Sequence, residues 1–132
     1  MSGRVVESNV TVIDQVDFFE GDYYTRKEGI GVGSLQLKVF NENALVAWPL
    51  VTGAGVPNGL ITSGRVYFSE VTGAPGYYSV RFRPNAVGYW RIVLNYPVGV
   101  QSSYLDFSVV AAGTLGSQGV TGSSGLNAKF TR

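Results

Sequence analysis

The sequence predicts an all-β protein: a two-sheet antiparallel sandwich of about seven strands, followed by an extended Gly-rich arm at the C-terminus. Three observations carry that expectation. Segments alternating apolar and polar residues follow one another with Gly, Pro and Asn between them, which is the period of strands with one buried and one wet face. The 132 residues include 18 Gly, 8 Tyr, 7 Phe and 2 Trp but only 14% charged residues, a composition of turns and pleated strands. No stretch of helix length carries apolar residues at helical spacing.

Taken in order, a first strand is expected near Asn9 to Ile13, with Val10 and Val12 in phase. Ser34 to Phe40 sets Leu35, Leu37 and Val39 against Gln36 and Lys38, and the turn sequence Asn41-Glu42-Asn43 leads into Ala44 to Leu50. Gly53 to Gly64 reads as a long loop or a short edge strand around Leu60 and Ile61. Arg65 to Val71 then turns Val66 and Phe68 inward, and Gly76 to Arg83 does the same with Tyr78, Val80 and Phe82. Gly88 to Tyr96 buries Trp90, Ile92 and Leu94, and Ser103 to Val109 buries Leu105, Phe107 and Val109. The five prolines fall at or beyond strand ends, where a missing N–H does little harm.

The expected organisation is an N-terminal arm over 1–8, the sandwich over 9–110 and a C-terminal arm over 111–132. The second arm carries Gly at 113, 116, 119, 122 and 125, a Gly-x-y spacing like that of collagen but without Pro. It ends in Lys129, Phe130 and Arg132, an aromatic flanked by cations and suited to anchoring on a partner.

The absences exclude whole classes of function. With no His and no Cys, His-based triads, thiol nucleophiles, zinc fingers, haem ligation and iron–sulfur clusters are impossible. A formal net charge of +1 gives no field to draw the chain onto nucleic acid. No apolar run reaches membrane-spanning length and residues 1–30 lack the pattern of a signal peptide, so neither is expected. Ser has no base beside it, and no Ser-x-x-Lys spacing occurs. Six carboxylates fall within the first 28 residues, but Asp14, Asp17, Glu20 and Asp22 lack the spacing of a calcium loop. They read as a solvated loop opposite Arg26 and Lys27. No catalytic residue, metal ligand or cofactor is expected.

Binding residues are more visible. Arg81, Arg83, Tyr89 and Arg91 alternate outward around Pro84 to Gly88, and Arg and Tyr combine apolar area with directional donors. If 76–96 is a hairpin, the four form one patch. If the chain crosses between sheets at Pro84 to Gly88, the patch splits, with Arg91 facing Asp106 on a neighbouring strand. Tyr23-Tyr24, Tyr77-Tyr78 and Tyr104 are candidates for a sugar-stacking platform.

The stretch PGYYSVRFRPNAVGYWRIVLNYP followed by SYLDFSVV resembles the last three strands of bacterial and phage immunoglobulin-like domains. FFEGDYYTRKEGIGVGSLQLKVFNENALV resembles the lead-in to the family's second strand. The resemblance implies that Trp90 is a core aromatic near the crossover between sheets and that Gly88 turns the corner into its strand. It further implies a setting. Free-standing domains of this kind occur among tailed-phage structural proteins, so the expected role is a non-enzymatic virion component made in the host cytoplasm. A capsid decoration or cement protein is the first expectation, binding other virion proteins through a sandwich face and its arms, with a homotrimer suggested by the Gly triplets. The alternative is a carbohydrate- or receptor-binding module of a tail fibre or baseplate, with surface glycan as its partner. No nucleic acid or membrane partner is expected.

Overall fold

The computed structural model describes residues 4–99 and 101–115. Nine strands occur among the described residues: β1 (Arg4–Glu7), β2 (Val12–Val16), β3 (Gln36–Asn41), β4 (Ala44–Val46), β5 (Leu50–Thr52), β6 (Val66–Glu70), β7 (Tyr78–Phe82), β8 (Gly88–Tyr96) and β9 (Gln101–Val110). They form a five-stranded sheet in the order β1-β9-β8-β3-β4 and a four-stranded sheet in the order β2-β7-β6-β5. Interior pairs are antiparallel, but at two sheet edges the pairing is parallel, β1 with β9 and β5 with β6.

The core lies between the sheets and is filled from the predicted inward positions. Trp90, Tyr78, Phe68, Phe82, Phe107, Ile92 and Leu94 are all essentially inaccessible to solvent. Their rings interlock: Phe68 stacks on Tyr78 at 5.1 Å between centroids, and Phe82 meets Phe107 at 5.3 Å. Trp90 has Trp48 against it at 5.2 Å and donates its indole N–H to the Ala86 carbonyl at 2.9 Å. A buried indole is thus both packed and satisfied.

Several expectations are corrected. The N-terminal segment is not an arm throughout, because Arg4–Glu7 pairs with Phe107 to Val110 as an edge strand. The following strand begins at Val12 rather than Asn9. Asn9 sits at φ 63° with its N–H on the Pro84 carbonyl, so the chain is switching sheets there and Val10 is left exposed. Ala44 to Leu50 is not one strand. The Trp48 N–H turns back to the Val46 carbonyl at 2.9 Å, and the chain crosses so that β5 joins the other sheet. Residues 53–65 form a loop with a short 3-10 turn at Asn58–Leu60, which buries Ile61 and exposes Leu60. The expected C-terminal arm starts as a turn in which the Thr114 N–H reaches the Ala111 carbonyl. Its residues from 116 on lie outside the described residues.

One corner is set by two unusual backbones. Glu42 and Asn43 both have positive φ, 53° and 67°, as a two-residue hairpin turn between β3 and β4 demands. This turn brings the Glu42 carboxylate to the Tyr89 N–H at 2.6 Å, while the Glu42 N–H reaches the Tyr89 carbonyl at 2.8 Å. Gly88, at φ 116°, lies directly beneath that carboxylate, so a side chain here is strained in its backbone and must push the Glu42 side chain aside.

Candidate functional site

The crossover between β7 and β8 separates the four predicted binding residues of the sandwich. Arg81 belongs to the four-stranded sheet, and Tyr89 and Arg91 to the other. Arg81 is not a surface residue. It is 8% exposed, and its guanidinium donates to the carbonyls of Gly53 (2.7 Å) and Val56 (2.6 Å) and to Asn58 Oδ1 (3.0 Å). It fastens the 53–58 loop over the sheet. The same loop covers Tyr67, whose hydroxyl lies 3.0 Å from that of Thr62, so an outward position by alternation becomes a buried one. Arg83 is half-buried, and its carbonyl accepts the Ser63 hydroxyl at 2.7 Å. Lys129, Phe130 and Arg132 lie outside the described residues.

Tyr89 and Arg91 do meet, on the outer face of the five-stranded sheet. Register places Arg91 opposite Asp106, Tyr89 opposite Ser108 and Val93 opposite Tyr104. Arg91 Nε donates to Asp106 Oδ1 at 2.9 Å, and its Nη2 reaches the Tyr89 hydroxyl at 3.2 Å. The guanidinium also lies over the Tyr104 ring, 5.5 Å from its centroid. Asp106, then Tyr89, raise the Arg91 pKa further, so the cation is permanent. Across the sheet Phe40 stands opposite Arg91 and pairs in turn with Leu45, while Lys38 stands opposite Val93. Leu45 is 67% exposed and Tyr104 is 55% exposed. The face is therefore a charge held in fixed geometry, two tyrosines and an apolar margin. Such a surface suits directional docking onto protein and contains no nucleophile–base pair.

The acidic residues near the N-terminus are dispersed into separate structural tasks. Asp14 pairs with Arg4 at 3.2 Å, Asp17 with Arg26 at 2.5 Å, and Glu20 approaches Lys27 only to 4.0 Å. Asp22 closes the loop joining Phe19 and Arg26, accepting the N–H groups of Tyr24 and Thr25 and the Thr25 hydroxyl. Those donors, Thr25 first, hold its carboxyl below the usual carboxylate range. Among the described residues, no three carboxylates come together as a metal site would require.

The strand order decides the architecture. β9, β8 and β3 with β4 beside them, facing β2, β7 and β6, reproduce the G-F-C-C′ and B-E-D arrangement. The chain is an immunoglobulin-like sandwich. No protein-family model matches this sequence, and no curated protein does. Among solved structures, the titin M3 domain is 14% identical over 82% of this chain and 88% of its own, at a TM-score of 0.38. The titin M4 domain is 12% identical over 83% and 86%, at 0.37. The titin A164-A165 tandem is 11% identical over 84% of this chain and 46% of its own, at 0.36. The assignment rests on the strand order, and likenesses of this size carry nothing about function.

The exposed loop tyrosines could not be sorted by sequence. Tyr78 is fully buried, with its hydroxyl donating to the Lys27 carbonyl, whereas Tyr23 and Tyr24 are exposed. Phe18, read as part of a solvated acidic loop, is completely buried and meets Tyr78 and Tyr96 edge-on. Its only signal was an apolar pair inside an acidic run.

Proposed function

We propose that this immunoglobulin-like domain is a non-enzymatic structural component of a tailed-phage virion, a decoration or cement protein docking on neighbouring subunits through the outer face of its five-stranded sheet. The observation that carries the docking face is Arg91, fixed between Asp106, Tyr89 and Tyr104 on an open sheet bordered by Phe40, Leu45 and Val93. Holding the guanidinium in place before binding removes much of the entropy cost of ordering it at an interface. The virion setting draws its support from the resemblance of residues 75–110 to phage domains. It also fits the low charged fraction, since a chain with permanent neighbours can cover apolar surface that a monomer leaves in water. The Leu115 N–H donates to the Glu7 carboxylate at 2.7 Å, which holds residue 115 beside the β1 edge of the same sheet.

The test is association with particles. Tagged protein is expressed in the cell that carries its gene, and high-mass particles are separated on a density gradient. Wild type is expected to travel with the particles, and the Leu45→Glu/Tyr104→Ala variant to remain at the top while melting as wild type does. Wild-type protein found only at the top of the gradient would overturn the reading.

A further inference from the structure

A second site lies at the end of the sandwich, between the loop after β2 and the turn from β8 into β9. Here Phe19, Glu20, Tyr23, Lys27, Tyr96 and Val98 line a cleft of about 330 Å³, at the lower end of the sizes that hold small ligands. Tyr23 occupies the left-handed region at φ 63°, where any residue with a Cβ is strained and a bulky aromatic is rare. Its N–H donates to the Glu20 carbonyl at 3.0 Å, a bond that Gly would make equally well without strain. Yet its ring is 76% exposed, and that of the adjoining Tyr24 is 88% exposed. Neither ring supports the fold, so the strain serves to display an aromatic surface.

The backbone that carries these rings is tied down by hydrogen bonds. Asp22 locks Tyr24 and Thr25, and the Gln101 side chain accepts the Phe19 N–H and donates to the Phe19 carbonyl, tying the loop to β9. Arg26 is paired with Asp17 and lies 4.0 Å over the Tyr77 ring. The polar groups of the cleft balance: Glu20 and Lys27 are one anion and one cation, 4.0 Å apart, beyond hydrogen-bonding distance and both open to solvent.

We infer that this cleft binds an uncharged saccharide. A sugar ring offers an apolar C–H face to a tyrosine, whose ring face is electron-rich, and hydroxyls at its rim. The Glu20 carboxylate accepts from such hydroxyls and the Lys27 ammonium donates to them. A lining of zero net charge favours neither an anionic nor a cationic ligand over a neutral one.

The probes are maltotriose, cellotriose and N,N′,N″-triacetylchitotriose at millimolar concentration, with sialyllactose as the charged comparison, read by amide NMR of the full chain. At least one neutral trisaccharide is expected to shift the signals of residues 19–27 together with Val98, Gly99 and Gln101. Tyr23→Gly should weaken binding by about tenfold or more. Tyr23→Gly should do so while raising the melting temperature, because it removes the strain along with the ring. The Leu45→Glu/Tyr104→Ala variant should bind as wild type does, which separates this site from the docking face. Three results overturn the inference: no shift with any neutral trisaccharide, undiminished shifts in the Tyr23→Gly/Tyr24→Ala double variant, or preferential binding of sialyllactose.

Discussion

The Arg81 guanidinium lies 2.7 Å from the carbonyl of Gly53, and the two are buried together beneath the 53–58 loop. A charged side chain in an outward phase has become the internal fastening of a Gly-rich segment. Its contribution is structural, and the consequences can be measured.

Replacing Arg81 by Met removes three donated bonds and leaves the Gly53 and Val56 carbonyls without that partner. Charge-assisted bonds of this kind are worth about 1.5–3 kcal/mol each at most, and losses in one network are not additive, so a total of about 2–4 kcal/mol is expected. Urea unfolding should show it, with loop amides between 53 and 62 losing protection first. A variant within experimental error of wild type would mean the loop packs without its clamp.

Trp90 fills the centre of the core against Trp48 and Phe82. Trp90→Ala should cost about 3–5 kcal/mol, a large part of the stability of an ordinary domain. Trp90→Phe keeps an aromatic ring but drops the bond to Ala86 and some volume, and should fall between the two in chemical denaturation. An equal loss in both variants would place the cost in the indole N–H instead.

Gly88→Ala is expected to destabilise by about 1–3 kcal/mol from its backbone conformation, with a further loss as the new methyl group displaces the Glu42 carboxylate. Glu42→Ala/Gly88→Ala relieves the collision but not the strain. The double variant should therefore unfold at a denaturant concentration above that of Glu42→Ala and Gly88→Ala summed independently. Simple additivity would show that the collision costs nothing.

The Asp22 carboxyl is held below its ordinary pKa by the Thr25 and Tyr24 donors. A depressed folded-state pKa means that the stabilisation is complete above the unfolded pKa and is lost as pH falls through the folded one. The loop holding Tyr23 and Tyr24 should thus keep its form at neutral pH and open at strongly acid pH. Amide shifts of Tyr24 and Thr25 followed against pH should report it, and Asp22→Asn should abolish that titration.

The Arg91–Asp106 pair is part-exposed on the Arg side, 41% against 14% for Asp106, and pairs of that kind add little to stability. Asp106→Asn should leave the unfolding midpoint nearly unchanged yet lower the fraction of protein that travels with particles. A large fall in the midpoint would reassign the pair to holding β8 against β9.

Much of this architecture was legible in the chain. Alternation around Tyr78-Val80-Phe82, Trp90-Ile92-Leu94 and Leu105-Phe107-Val109 assigned the buried faces correctly, because a strand has period two whatever its neighbours are. Gly88 and the Asn41-Glu42-Asn43 turn likewise follow from local backbone chemistry, and the Arg91–Asp106 pairing was visible once β8 and β9 were placed side by side. The lack of His and Cys set the limits on chemistry before any fold was known. Only the tertiary structure decided the rest. Alternation does not report what lies over a sheet, so it placed Arg81 and Tyr67 on the surface, whereas the loop before β6 folds back over both. It could not show that Arg4–Glu7 finds β9, a pairing across about a hundred residues of sequence that local pattern does not encode. Nor could it separate Tyr78 from Tyr23 and Tyr24, since an aromatic side chain is compatible with core and surface alike. Which of them it joins is settled by the packing of elements far apart in the chain.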